Sequence, residues 1–220
     1  MLGTERRNVS AILTVILAAW FLLVLGAGHA GAFESGPARP PLAVLLAFAA
    51  PPLIFAVMYR ASRKFRDFVL SIDLRLLTAV QSWRVVGVMF LVFYAYGLLP
   101  GLFAWPAGTG DLAVGLAAPF VLLGMLRRSP TWHRQALWLN VAGLADFVGA
   151  IGTGALSSNS SIGLVAYDAG RVSLGSLPLS LIPTFAVPLW TILHIVSLLQ
   201  LARMAGTVPA RESAMVTPSI

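Results

Sequence analysis

Few side chains in this 220-residue chain could do chemistry, and most of those stand inside long apolar runs. Gln81 and Arg84 open the third run, Asp111 heads the fourth, Asn140 and Asp146 lie in the fifth, and His194 and Ser197 in the sixth. A polar group at hydrocarbon depth costs several kcal/mol unless it is partnered, so each is a candidate for an ion or proton path or for a structural hydrogen bond. With a rise of about 1.5 Å per residue, the spacing predicts two layers. Gln81, Arg84 and Asn140 fall nearer the cytoplasm, and Asp146 and His194 near the midplane. Arg84 is long enough to reach Asp146, and the two charges would offset each other's burial. Set against this are snorkelling of Arg84 to the headgroups and plain interhelical hydrogen bonds for Asp146 and His194. Ala142, Asp146, Ala150 and Gly154 repeat at i+4, a small-residue stripe suited to close helix contact.

The string Pro106-Ala107-Gly108-Thr109-Gly110-Asp111 is the most distinctive locally. It reads as an outer loop in which Thr109 or Asp111 caps the fourth span, or as a re-entrant loop with Asp111 drawing a cation or proton. His194 could relay protons, ligate metal or bond a neighbour. Haem is disfavoured, because His29 and His133 lie at other depths. No HExxH or GxSxG string occurs, and Ser197 has no evident base. An intramembrane metal-dependent hydrolase would need Asp111, Asp146, His194 and His29 to converge, and their depths disfavour that. No catalytic residue, cofactor or metal site is assigned.

The elements that must position these residues are written in the hydropathy. With 58% hydrophobic and 10% charged residues and no cysteine, the chain cannot dress a water-facing surface, since soluble domains are roughly 25% charged. Spans are predicted at about 9–27, 42–59, 82–99, 111–126, 136–155 and 181–202, as one all-α polytopic bundle over 1–204 with a disordered cytoplasmic tail at 205–220. Pro51 and Pro52 should kink or break the second span. Apolar residues at helical spacing over 65–80 predict an amphipathic interfacial helix between spans two and three. Of 15 basic residues, twelve fall on one side, two (Arg39 and Arg171) on the other, and Arg84 within a span. That bias orients both termini to the cytoplasm. Ala30-Gly31-Ala32 also offers a cleavage site, in which case residues 1–32 would be a signal peptide. The net charge of +7 reports orientation and contact with anionic lipid around 60–75, not nucleic acid. A homo-oligomer fits so small a bundle.

The strings Gln81-Ser-Trp-Arg84-Val-Val-Gly87, Pro106-Ala-Gly-Thr-Gly-Asp111 and Asn140-Val-Ala-Gly143-Leu-Ala-Asp146-Phe147 together resemble those of uncharacterised bacterial multi-pass inner-membrane proteins. The resemblance covers about Gln81 to Gln200 and implies a bacterial inner membrane, with no activity attached. Function is left between a small transporter or permease, a non-catalytic accessory, sensor or lipid-binding component, and the weaker hydrolase reading.

Overall fold

Where each helix starts and stops follows from caps and from apolar continuity. A computed structural model describes the backbone of 3–164 and 172–215, and the side chains of 11–164 and 172–205. Arg171, read above as an outer basic residue, and 216–220 lie outside the described residues, as do the side chains of Arg6, Arg7 and Arg211. All regular structure among the described residues is helical. It comprises α1 (Gly3–His29), α2 (Leu42–Ala61), α3 (Arg63–Leu70), α4 (Leu74–Val80), a 3₁₀-helix (Gln81–Gly87), α5 (Val88–Ala95), α6 (Gly101–Leu126), α7 (Trp132–Leu156), a π-helix (Ile182–Ala186) and α8 (Val187–Met215). Six stretches are long and apolar enough to cross a membrane: Ala11–His29, Leu42–Ala61, Leu74–Ala95, Gly101–Leu126, Trp132–Leu156 and Ile182–Ala205. This is the all-α polytopic bundle that hydropathy predicts.

Several boundaries differ from the sequence reading, each for a local reason. Span three begins at Leu74, not at 82, because Asp73 accepts a hydrogen bond from the Arg75 N–H at 2.8 Å and caps a new helix there. The interfacial helix expected over 65–80 is therefore two helices. α3 is the amphipathic one, capped by Ser62, whose Oγ accepts from the Phe65 N–H at 3.2 Å. Its Val69 is buried against the bundle while Arg63, Lys64 and Asp67 stay exposed. Gln200 fixes the elbow, donating through Nε2 to the carbonyls of Val69 (3.2 Å) and Ile72 (2.9 Å).

Span four begins at Gly101, so the segment 102–110 read as an outer loop is helix. Pro100 precedes its first turn, and a continuous helix satisfies backbone groups that a loop at this depth would leave bare. Pro51 and Pro52 likewise sit inside α2 without ending it. α8 runs as helix to Met215, through residues expected as a disordered tail. Ala205, Ala210, Arg211 and Ala214 are strong helix formers, and extending an existing helix needs no new nucleus.

Two apolar clusters stack along the bundle. One joins Phe55, Val69, Leu74, Leu77, Val114, Val121, Leu139, Val196 and Leu201 with their neighbours. The other joins Phe90, Leu99, Phe103, Ala104, Ala107 and Leu179. In three spans the ionisable residue falls in sequence between the two: Arg84 between Leu77 and Phe90, Asp111 between Ala107 and Val114, and Asp146 between Leu139 and Ala150. α1 stands at the edge, with Trp20 and Phe21 against Phe185 at ring distances of 4.7 and 5.2 Å.

α6 approaches the 3₁₀-helix most closely at Gly115, where an added Cβ would lie 2.6 Å from the Val85 backbone N. Backbone cannot step aside as a flexible side chain can, and overpacking a tight contact costs about 1–3 kcal/mol. Gly115→Leu is expected to lower the melting temperature of the detergent-purified protein by several degrees. Gly149→Leu, at a glycine with nothing within 4 Å of the added Cβ, should melt as wild type. Equal melting of the two variants would contradict the packing described.

Candidate functional site: a guanidinium held between two carboxylates

Arg84 sits in the 3₁₀-helix, midway along the span Leu74–Ala95, and is buried at 5% exposure. A 3₁₀ stretch inside a longer helix turns side chains off the α spacing and commonly marks strain or a hinge. Across the bundle, the π-helix Ile182–Ala186 opens span six between Pro183 and Pro188. Pro188 has no N–H to return to the Thr184 carbonyl, which loosens the backbone ladder there. The site thus lies between two departures from regular α-helix.

Each guanidinium nitrogen is engaged by a different helix. Arg84 Nε donates to Asp111 Oδ1 of α6 at 2.7 Å, Nη2 donates to Asp146 Oδ2 of α7, and Nη1 donates to His194 Nε2 of α8 at 3.1 Å. The flat face of Arg84 covers the Phe147 ring at 4.0 Å, and Phe147 meets His194 edge-on at 5.7 Å. Because arginine only donates, His194 Nε2 must accept, which leaves the proton on Nδ1. Nδ1 donates to Asn140 Oδ1 at 2.8 Å, and Asn140 Nδ2 donates in turn to the Ala136 carbonyl at 2.8 Å. The chain of hydrogen bonds runs in one direction from Arg84 to the α7 backbone.

Three glycines make room for this cluster. A Cβ at Gly143 would collide with His194 Nε2 and stand 2.7 Å from Arg84 Nη1, one at Gly110 would collide with Asp146, and one at Gly87 with Asp111. Helix axes can come this close only where no side chain intervenes.

The two layers expected from depth are thus one layer. Arg84 lies mid-span because the span starts at Leu74, and it brings Asn140, Asp146 and His194 together. Asp111, read as an outer-loop residue with Thr109, is instead inside α6 and bonded to Arg84. Thr109 faces outward, and its hydroxyl donates to the Trp105 carbonyl at 2.7 Å. Gln81 does not join the network; it is fully buried, and neither amide atom has a partner among the described residues. Ser197 donates to the Leu193 carbonyl at 3.0 Å. The stripe expected to close against another helix does so only in part: Ala142 is exposed, and Ala150 and Gly154 line a cavity. Phe147 and the three glycines stand in the strings that carry the resemblance, where the sequence gives them no role of their own. Their signal is positional, since Gly87, Gly110 and Gly143 each stand within three residues of a polar candidate.

Both carboxylates look onto open space. A cavity has Asp111 and Asp146 at one end and Ser35, Ser157, Asn159 and Ser173 of the connecting segments at the other, with apolar walls between; its space, counting the part open to solvent, is about 1180 Å³. A second cavity, about 780 Å³ with its open part, is bounded by Trp83, Met89, Phe93 and Trp190 and also reaches Arg84 and Asp111. Among the described residues no group of three or more His, Cys, Asp or Glu side chains is arranged to hold a metal ion. Asp111, Asp146 and His194 do converge, and the guanidinium of Arg84 stands at their meeting point.

The chain belongs to the family described as Domain of unknown function (DUF8737), whose model matches residues 41–202. The match takes in every residue of the network and leaves α1 outside. No curated protein and no solved structure matches the chain.

Removing Arg84 would strand two half-buried carboxylates, and breaking a fully buried pair costs about 3–5 kcal/mol, which is an upper bound here. Arg84→Met is expected to cause a large loss of thermal stability in detergent. Arg84→Lys should do nearly as badly, since one ammonium cannot serve three acceptors in a plane. The triple variant R84M/D111N/D146N should recover most of the loss. A triple variant no more stable than R84M would show that the charges are not what the fold depends on here.

Proposed function

We propose that this multi-pass membrane protein is a small proton-coupled carrier whose coupling site is the Arg84 cluster. The observation that carries the reading is a single one: a guanidinium at mid-span is shared by two carboxylates, and both carboxylates border a cavity leading to one end of the bundle. One positive and two negative groups leave one negative charge over, at a depth where an uncompensated charge is costly. A proton on either carboxyl restores neutrality. The groups facing the pair are Arg84 from span three, Asp111 from α6, Asp146 from α7 and His194 from α8. Of these, His194 already has both ring nitrogens committed.

Carriers that alternate access commonly hold such residues at mid-membrane beside interrupted helices. The 3₁₀-helix and the π-helix are two interruptions flanking this site. We infer that both termini are cytoplasmic, from the distribution of basic residues, and that the membrane is the cell inner membrane, from the resemblance of its strings. The exposed Arg60, Arg63 and Lys64 beside α3 suit contact with anionic headgroups on that face.

The absence of cysteine makes single-cysteine reporters straightforward. Ile151 lines the large cavity, and Thr78 lies buried one turn and more before Arg84. In vesicles, I151C should react with a membrane-impermeant thiol reagent from the side of the large cavity's mouth. Acidification should reduce that labelling several-fold and raise labelling of T78C from the opposite side, because a protonated carboxyl gives up its hold on Arg84. Adding D111N should make both rates insensitive to pH. Labelling that stays fixed over the pH range in the unmodified background would overturn the carrier reading.

A further inference from the structure

We infer that the substrate is a lipophilic organic monocation that takes the place of the site proton at Asp111 and Asp146 and reaches it sideways from the bilayer. This inference rests on the carrier reading and adds the substrate's chemistry and route.

The sign of charge comes first. Each nitrogen of Arg84 already donates one N–H within the cluster, and the two carboxylates beside it repel an anion. Among the described residues no Lys or Arg lines the large cavity, and the charged groups that do are Asp111 and Asp146. A cation therefore complements the cavity and an anion does not.

Wall chemistry separates organic from inorganic cations. Hard metal cations need several oxygen ligands to replace their water. Between the two carboxylates and the serines of the mouth, this cavity offers mostly apolar side chains. Phe33, Phe90, Phe103 and Phe147 line it, and aromatic faces attract weakly hydrated cations carried on apolar bodies.

The route follows from the second cavity. It shares Phe90, Asp111, Phe147, Leu179, Ile182 and Val187 with the first, so the two meet at Asp111. Its rim includes Trp83 and Met89, which are exposed on the apolar outer surface of the bundle. Trp190, also at the rim, has an indole N–H without a partner among the described residues. An opening through the side of a membrane bundle admits solutes dissolved in lipid.

The exchange balances. The carboxyl O–H bond breaks, the proton leaves through the large cavity to water, and the carboxylate pairs with the incoming monocation without any covalent bond to it. The cluster is neutral before and after.

The test is binding of tetraphenylphosphonium to the purified full chain in nanodiscs, with tetraphenylborate as the anion of matching shape. Saturable binding of one phosphonium per chain is expected, with about one proton released in weak buffer. D111N should weaken it at least tenfold. Ala155→Phe fills the cavity wall more than two turns of α7 beyond Asp146; it should weaken binding as much while melting like wild type, which keeps the test independent of damage to the fold. Equal binding to Ala155→Phe, or equal binding of tetraphenylborate, would overturn the inference. pH-switched cysteine labelling without phosphonium binding would remove the substrate class alone, whereas binding without switched labelling would remove the carrier reading.

Discussion

A guanidinium cannot be left bare at the depth of Arg84, and much of this bundle is arranged around supplying it with acceptors. Three helices each contribute one, at the nitrogens Nε, Nη1 and Nη2, and an aromatic ring covers its face. Such convergence demands close helix approach, which is why Gly87, Gly110 and Gly143 stand where a Cβ would strike Asp111, Asp146 or His194. It also fixes helical phase. Arg84 is presented from a 3₁₀ segment pressed against Gly115 of α6, so its position depends on a backbone contact as well as on side-chain packing. The apolar clusters above and below flank the polar layer, and on the side where they exclude water, around His194 and Asn140, the low dielectric strengthens its interactions.

Hydropathy made the spans legible because bilayer thickness sets their length, and that constraint acts on composition alone. It also made the polar residues conspicuous, since so few stand in the spans. Depth was less legible. Gln81 looked like a boundary residue because it is polar, yet it is buried, and the true start is set by the Asp73 cap some turns earlier. Moving that start put Arg84 at mid-span and merged the two expected layers.

Asp111 was misread for a related reason. Proline and glycine around it are turn formers in water, but inside a bilayer a turn would expose backbone, and neighbouring helices tolerate these residues within a helix. Thr109, expected to cap a helix, bonds back to Trp105 within one. Hydropathy windows and local turn chemistry carry no information on which helices become neighbours. The Arg84 to Asp111 and Arg84 to His194 contacts span 27 and 110 residues of chain, and only the packed bundle fixes them.

The network is closed on one side and open on the other, and that asymmetry bears on what it can do. Towards His194 every atom is committed: Nε2 accepts from Arg84, Nδ1 donates to Asn140, and Asn140 donates to backbone. Taking up another proton at His194 would turn an acceptor for Arg84 into a second donor facing it, so the histidine orients Arg84 and is poorly suited to relay. Towards the cavity the balance is reversed, with two carboxylates for one guanidinium and free space beside both. A purely structural pair would need one carboxylate only. The second carboxyl brings the site to neutrality when it carries a proton, and it is this group that the carrier reading treats as exchangeable.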